Sequence, residues 1–511
     1  MIVLVAASLL GTLELIGLIV VAIVALGVVV FAHEWGHFMA GRRAGIRAEA
    51  FSIGFGPILW RKTIGETEYR LSAILFGGYV KFAGMEGTPD KTPQEIERGF
   101  YAATPERRIF TTFAGPFMNA VLAFALFFIL WGTGRKVPQG EATTVIGGTE
   151  EGSAAEEAGL QPGDRILSID GRPVSKWYDV MMGVALGPRT LDVEIERARR
   201  VIVVSSSGRT VSRWQEIVRA LASGKPLRVQ VKHKRFILHK QVRPKEHPKA
   251  GARVMGVAAE QPIIVYRVQP GTEAERMGLQ KGDLLLQLDH QPIYSGAAEW
   301  QKELRERAGS EFTITVERAG KPLTLTGTMP RAKGDEPPVL GFVMARVYVW
   351  IWEDPVEASA YCFNIMGRTL KGLLTRRVKA KGLSGPVGIV GVITYSLRVS
   401  FTSFLWWAAF ISLSLAVINL LPIPVVDGGH IMFSIIEKIR RKPVREKTMA
   451  IVTNVFAVLI IAFFLYVTFH DVKRFIPSSH KDNAEDKTPP AEQPEPKPPE
   501  PEPPPPEAPP H

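Results

Sequence analysis

The sequence predicts a polytopic α-helical membrane protein with four transmembrane helices, a β-hairpin region after the first of them, and two mixed α+β modules outside the bilayer. Three observations carry this reading. Apolar residues form 46% of the 511-residue chain, but they gather near its two ends. Lys and Arg collect beside those apolar runs. Two stretches of the more polar middle, beginning at Gly152 and Gly271, repeat one another. The net charge of +12 is therefore explained by a membrane surface, and nucleic acid is not an expected partner.

A span needs about 20 mostly apolar residues. Four runs meet that length: Leu15–Ala32, Ile109–Gly132, Phe401–Leu421 and Thr448–Phe469. The apolar start "MIVLVAASLL" lacks a basic leader and runs on past Gly11, so an uncleaved first helix is expected rather than a signal peptide. Arg42, Arg43, Arg47, Arg61, Lys62, Arg107 and Arg108 lie between the first two spans, and "EKIRRKPVREK" lies between the last two. Basic short loops face the cytoplasm, so both chain termini and the long middle are expected outside. The resulting divisions are 1–134 (first two helices and hairpin), 135–248 and 249–332 (the two modules), 333–475 (an amphipathic segment and the last two helices) and 476–511 (a Pro-rich tail).

Ionisable groups in a span are costly and mark function. His33 and His37 end the first span, four residues apart, so both imidazoles share one helix face and reach one metal ion. Glu34, between them, is the candidate to hold a water rather than the ion. The alternative is a buried histidine pair with a capping glutamate. A catalytic zinc takes three protein ligands and keeps one position open. Pro422 and Pro424 break the third span, and Asp427 follows just before the basic loop, at the same membrane depth as His33. His33, His37 and Asp427 are therefore the expected ligands of Zn²⁺. Read alone, Asp427 is a turn former in "DGG".

"HEWGH" at His33–His37 and "NLLPIPVVDGGH" at Asn419–His430 resemble the site-2 proteases, and among them the bacterial regulator-of-sigma-E group. "AGPFMN" (Ala114–Asn119), "LSGPVGIV" (Leu383–Val390) and "GGYVKF" (Gly77–Phe82) fit the same family, although Val426 stands where a Leu usually precedes the aspartate. The resemblance implies an intramembrane zinc endopeptidase in a bacterial inner membrane. Glu34 would take the attacking water's proton and pass it to the leaving amine. Asn419 would bind substrate or the developing oxyanion; an interhelical hydrogen bond explains it as well. His430 is expected beside the site and not as a fourth ligand, because a closed site leaves no place for water.

The segment from Ala48 to Phe82 alternates β-branched and aromatic residues with turn glycines, and resembles the family's membrane-associated hairpins. Its edge would receive an unwound substrate as an added strand. The two middle repeats, "GSAAEEAGLQPGDRILSIDGRPV" and "GTEAERMGLQKGDLLLQLDHQPI", resemble PDZ domains, which implies capture of peptide termini and screening of substrates. Within the first, "GRPVSKWYDV" recurs as "GRTVSRWQEI", so a partly duplicated half is expected. Asp354–Lys381 has the spacing of an amphipathic surface helix in contact with lipid, with Cys362 as a packing residue. The tail after 475 is too poor in apolar residues for a core.

The implied task is the second cut in regulated proteolysis of a single-pass membrane protein, such as an anti-sigma factor. Removal of signal-peptide remnants is a second enzymatic reading. A catalytically idle PDZ scaffold is a third, and the four residues of the site argue against it.

Overall fold

The computed structural model describes residues 2–85, 92–206, 209–211, 227–246, 253–293, 300, 304–331, 338–345, 347–375, 383 and 385–475. The tail after 475 and most of the second "GRTVSRWQEI" half lie outside the described residues, as does the end of the expected amphipathic segment.

Among the described residues, four helices are long and apolar enough to cross a membrane: Leu13–Arg43, Pro105–Thr133, Phe401–Asn419 and Lys447–Lys473. They belong to α1 (Ile2–Arg43), α2 (Pro105–Thr133), α5 (Phe401–Asn419) and α7 (Glu446–Phe475), with α3 (Pro355–Leu374), α4 (Pro386–Val399) and α6 (Asp427–Arg440) between the second and fourth. Local signals set their ends. Pro105 opens α2, where a missing N–H costs nothing, and Gly134 at φ 72° stops it. Asp354 caps α3 by accepting from the Val356 and Glu357 amides, at 2.8 and 3.1 Å.

Charged and polar contacts fix how the spans alternate. Glu14 near the start of α1 pairs with Arg398 at the end of α4, at 3.3 Å. The Lys136 carbonyl, just past α2, accepts from Ser403 at the start of α5, at 2.6 Å. At the opposite end, Arg108 of α2 meets Glu437 of α6 at 2.7 Å, and Glu106 meets Lys438 at 3.0 Å. The bundle core joins Ala123, Phe127 and Leu130 of α2 with Cys362 of α3 and Trp406, Ala409 and Leu413 of α5. Cys362 is fully buried there, a packing residue as expected.

Strands β1 (Ala48–Ile64) and β2 (Thr67–Phe82) form a long, bulged hairpin. The first half of β1 is flanked on both sides by β2: Phe51 faces Val80 on one side and Tyr69 on the other. Its inner end buries Phe51 and Phe82 with Phe38 of α1. Its outer part exposes Phe55, Ile58, Leu59, Trp60 and Ile64.

The middle of the chain forms two sheet modules with one plan. In the first, Arg165–Ile169 and Leu191–Ser206 are neighbours, Leu227–Val242 extends the sheet, and Ile146–Thr149 pairs with Val257–Ala259. In the second, Leu284–Leu288 lies between Ile263–Val268 and Glu311–Arg318, and Phe342–Ala345 pairs with Ile263–Val268. The repeat is exact at the level of hydrogen bonds. Asp164 receives Arg197 through two nitrogens, at 2.5 and 2.6 Å, while Arg197 also donates to the Gly159 carbonyl at 2.8 Å. Asp283, Arg318 and the Gly278 carbonyl repeat this at 2.7, 2.7 and 2.8 Å.

Each module is closed by a strand that arrives late in the chain. The Ala155 amide donates to Met255 in the first module and the Ala274 amide to Leu340 in the second, at 2.9 and 2.8 Å. Met255 and Leu340 belong to the two buried cores. The closing segments carry turn glycines, Gly256 at φ 76° and Gly341 at φ 89°. A short two-stranded pairing of Arg135–Pro138 with Tyr348–Ile351 then returns the chain to the membrane part.

Candidate metal centre

His33 and His37 project from the last turns of the apolar part of α1, and Asp427 is the first residue of α6. Three close approaches bring them together. A β-carbon at Gly36 would lie 2.3 Å from the Ala114 carbonyl oxygen, so α1 and α2 touch there backbone to backbone. A β-carbon at Gly115 would lie 2.2 Å from His37 Nε2, so the imidazole occupies the space a side chain would fill. Gly428 and Gly429 let α6 begin against the preceding turn; added β-carbons would sit 2.0 Å from the Leu421 oxygen and 2.4 Å from the Ile423 oxygen. The glycines of "DGG" thus serve the turn, and the aspartate is left to face the histidines.

The result is a tight triangle. Asp427 Oδ2 lies 3.0 Å from His33 Nε2 and 3.3 Å from His37 Nε2, and the two Nε2 atoms are 3.1 Å apart. Both histidines are buried, at 6% and 8% exposure. Donors about 2.0–2.2 Å from a tetrahedral ion stand about 3.3 Å apart or slightly more, so this spacing fits one small cation. Asp427 Oδ2 is buried with no hydrogen-bond donor, which a cation would remedy. His37 Nδ1–H donates to the Thr111 carbonyl at 2.9 Å, which leaves its Nε2 with a free lone pair. Two imidazoles and one carboxylate are the borderline donor set that suits zinc.

Glu34 stands outside the triangle. The Val80 amide of β2 donates to its carboxylate, and a β-carbon at Gly78 would lie 3.2 Å from its Cγ. Asn419, the last residue of α5, directs Nδ2 toward His33 Nε2 at 3.4 Å. His430 is not one of the three converging residues; its ring meets the edge of Phe100 at 6.0 Å. Sequence reasoning gave no role to Thr111, Gly115 or Asn119, all on α2, although the last two lie within "AGPFMN". A polar Asn in an apolar span was the signal that could have found the last of them.

Two imidazoles on a helix of lipid-spanning length and a carboxylate at the start of a short helix beyond the third span form the metal centre of a membrane metalloenzyme. The model of peptidase family M50 matches residues 21–463, and the chain belongs to that family. It is 30% identical over 473 residues to the regulator of sigma-E protease RseP of Escherichia coli strain K12, covering 88% of this chain and 97% of that one. RseP of Salmonella typhimurium strain 14028s is 30% identical over 475 residues, with the same coverage. A relative from Vibrio cholerae that bears a zinc metalloprotease name is 29% identical over 478 residues, covering 88% and 97%. A solved PDZ domain from Listeria monocytogenes aligns to 16% of this chain and 86% of its own, at 17% identity and a TM-score of 0.15, too low to carry an argument. The protein is a zinc metalloprotease of the site-2 type, as its sequence motifs imply.

Proposed function

We propose that this protein hydrolyses a peptide bond inside the transmembrane segment of a single-pass membrane protein whose outer domain has already been trimmed. His33, His37 and Asp427 hold the zinc. When bound there, zinc polarises the scissile carbonyl and makes hydroxide available at neutral pH. Glu34 orients the attacking water, takes its proton and returns it to the leaving amine. Asn419, at the rim of the triangle, donates its amide hydrogens to the substrate carbonyl as negative charge develops on oxygen. The single observation that carries the reading is the convergence of three donor atoms at 3.0–3.3 Å from helices α1 and α6.

A helical substrate hides its carbonyls in backbone bonds and must unwind before attack. The arm of β2 nearest Glu34 supports a route. Among the described residues, Gly78, Tyr79 and Val80 pair with β1 on one side only; Glu34 takes the Val80 amide on the other, so an extended strand would be received along this edge beside Glu34. The two sheet modules act as PDZ-like screens on the extracytoplasmic side of a bacterial inner membrane, where they meet peptide termini. The name shared by the relatives, regulator of sigma-E, supports an anti-sigma-type substrate.

The test compares membrane proteomes of cells carrying the wild type and Glu34→Gln. Trimmed single-pass stubs should accumulate in the variant, while the purified variant keeps one zinc. Accumulation of signal-peptide remnants alone would replace the proposed substrate class. An active Glu34→Gln enzyme would remove Glu34 from its role.

A further inference from the structure

Asn119 lies in the middle of α2, fully buried, with the amide atom placed as Nδ2 3.2 Å from His33 Nδ1. Its other amide atom is buried without a partner. A half-satisfied amide in a membrane helix costs about 1–3 kcal/mol, so its presence needs a reason. Helix packing does not supply one. The bond that ties this residue to α5 runs from Ser412 Oγ to the Asn119 backbone carbonyl, at 2.9 Å, and any residue would offer that carbonyl. The side chain serves His33.

The oxygen and nitrogen of an Asn amide are told apart by the network they join. With nitrogen toward His33, Nδ1 becomes the acceptor, the proton moves to Nε2, and that atom cannot bind a cation. With oxygen toward His33, Nδ1–H donates and Nε2 offers its lone pair to the triangle. His37 already has this arrangement through Thr111. We infer that Asn119 is a positioning residue that accepts from His33 Nδ1–H and thereby holds His33 in the tautomer that binds zinc. The two histidines are then set by two different acceptors of the same helix, a main-chain carbonyl and a side-chain carbonyl eight residues apart. This rests on His33 being a zinc ligand.

The experiment measures zinc affinity of the full-length protein in detergent by competition with a chromophoric chelator, apart from any cleavage assay. Asn119→Asp keeps the shape and offers only acceptors, so it should bind zinc within a few-fold of wild type, or more tightly. Asn119→Leu offers no acceptor and should bind about 10–100-fold more weakly. Equal weakening in both variants would show that Asn119 donates, and would overturn the inference. Wild-type affinity in Asn119→Leu would overturn it as well. His33→Ala with wild-type affinity would instead remove the ligand assignment beneath it.

Discussion

The β-carbon that Gly115 lacks would lie 2.2 Å from Nε2 of His37. One hydrogen on α2 therefore decides whether an α1 imidazole can reach the site. Gly115→Ala should displace the ring and reduce zinc content well below one per chain, measured by elemental analysis of purified protein. Gly132→Ala, on the same helix and with nothing within 4 Å of the added carbon, should keep its zinc. Neither should lose helix stability, since Ala is favoured over Gly by about 1 kcal/mol.

Asp427 is the single anionic donor of the triangle, and Asp427→Asn removes its charge while keeping its shape. Zinc affinity should fall at least about tenfold, the lower end of what lost ligand support costs. Chelation of the wild type should lower its melting temperature and abolish cleavage, and added zinc should restore both. At 100 times the dissociation constant, zinc contributes about 2.7 kcal/mol to the folded state. A melting curve that ignores both the chelator and the Asn substitution would contradict the assignment.

The outer half of the β1–β2 hairpin exposes Leu59 at 68% and Trp60 at 52%, with Ile58 and Ile64 beside them. Exposed apolar surface of this kind marks contact with lipid or with another protein, and lipid is the expected contact here. In vesicles containing brominated lipids, Trp60 emission should be quenched, read as the difference between wild type and Trp60→Phe. An unquenched Trp60 would place the hairpin in water.

Asp283 of the second sheet module has its carboxyl held below the usual carboxylate range. Burial alone would raise it, and the Arg318 guanidinium and the Gln280 amide outweigh that effect. A depressed folded value means the unfolded chain binds more protons in acid. The stabilisation is therefore complete above about pH 4 and is lost as pH falls through the folded value. The protection factors of the Leu284–Leu288 amides, which correct for slower intrinsic exchange in acid, should fall over that range in the wild type. Asp283→Asn should exchange faster already at neutral pH, by the equivalent of roughly 1–3 kcal/mol, with a flatter acid response.

Much of the architecture and half of the site were legible in the residues because they are set locally. The length of an apolar run determines a span, and a four-residue spacing puts His33 and His37 on one helix face whatever surrounds them. Pro422 and Pro424 cannot continue a helix, which puts Asp427 just past the end of the third span. The two middle repeats declare themselves because each carries its own turn glycines and buried aspartate. What only the tertiary structure decided lies across helix contacts, which leave no period in the sequence. Thr111, Gly115 and Asn119 matter because α2 presses against α1, and an apolar span reads the same whichever neighbour it meets. The closing strands of the two modules, at Val257–Ala259 and Phe342–Ala345, escaped for the same reason: strand pairing is a long-range choice, made by hydrogen bonds to residues about 75–115 positions earlier.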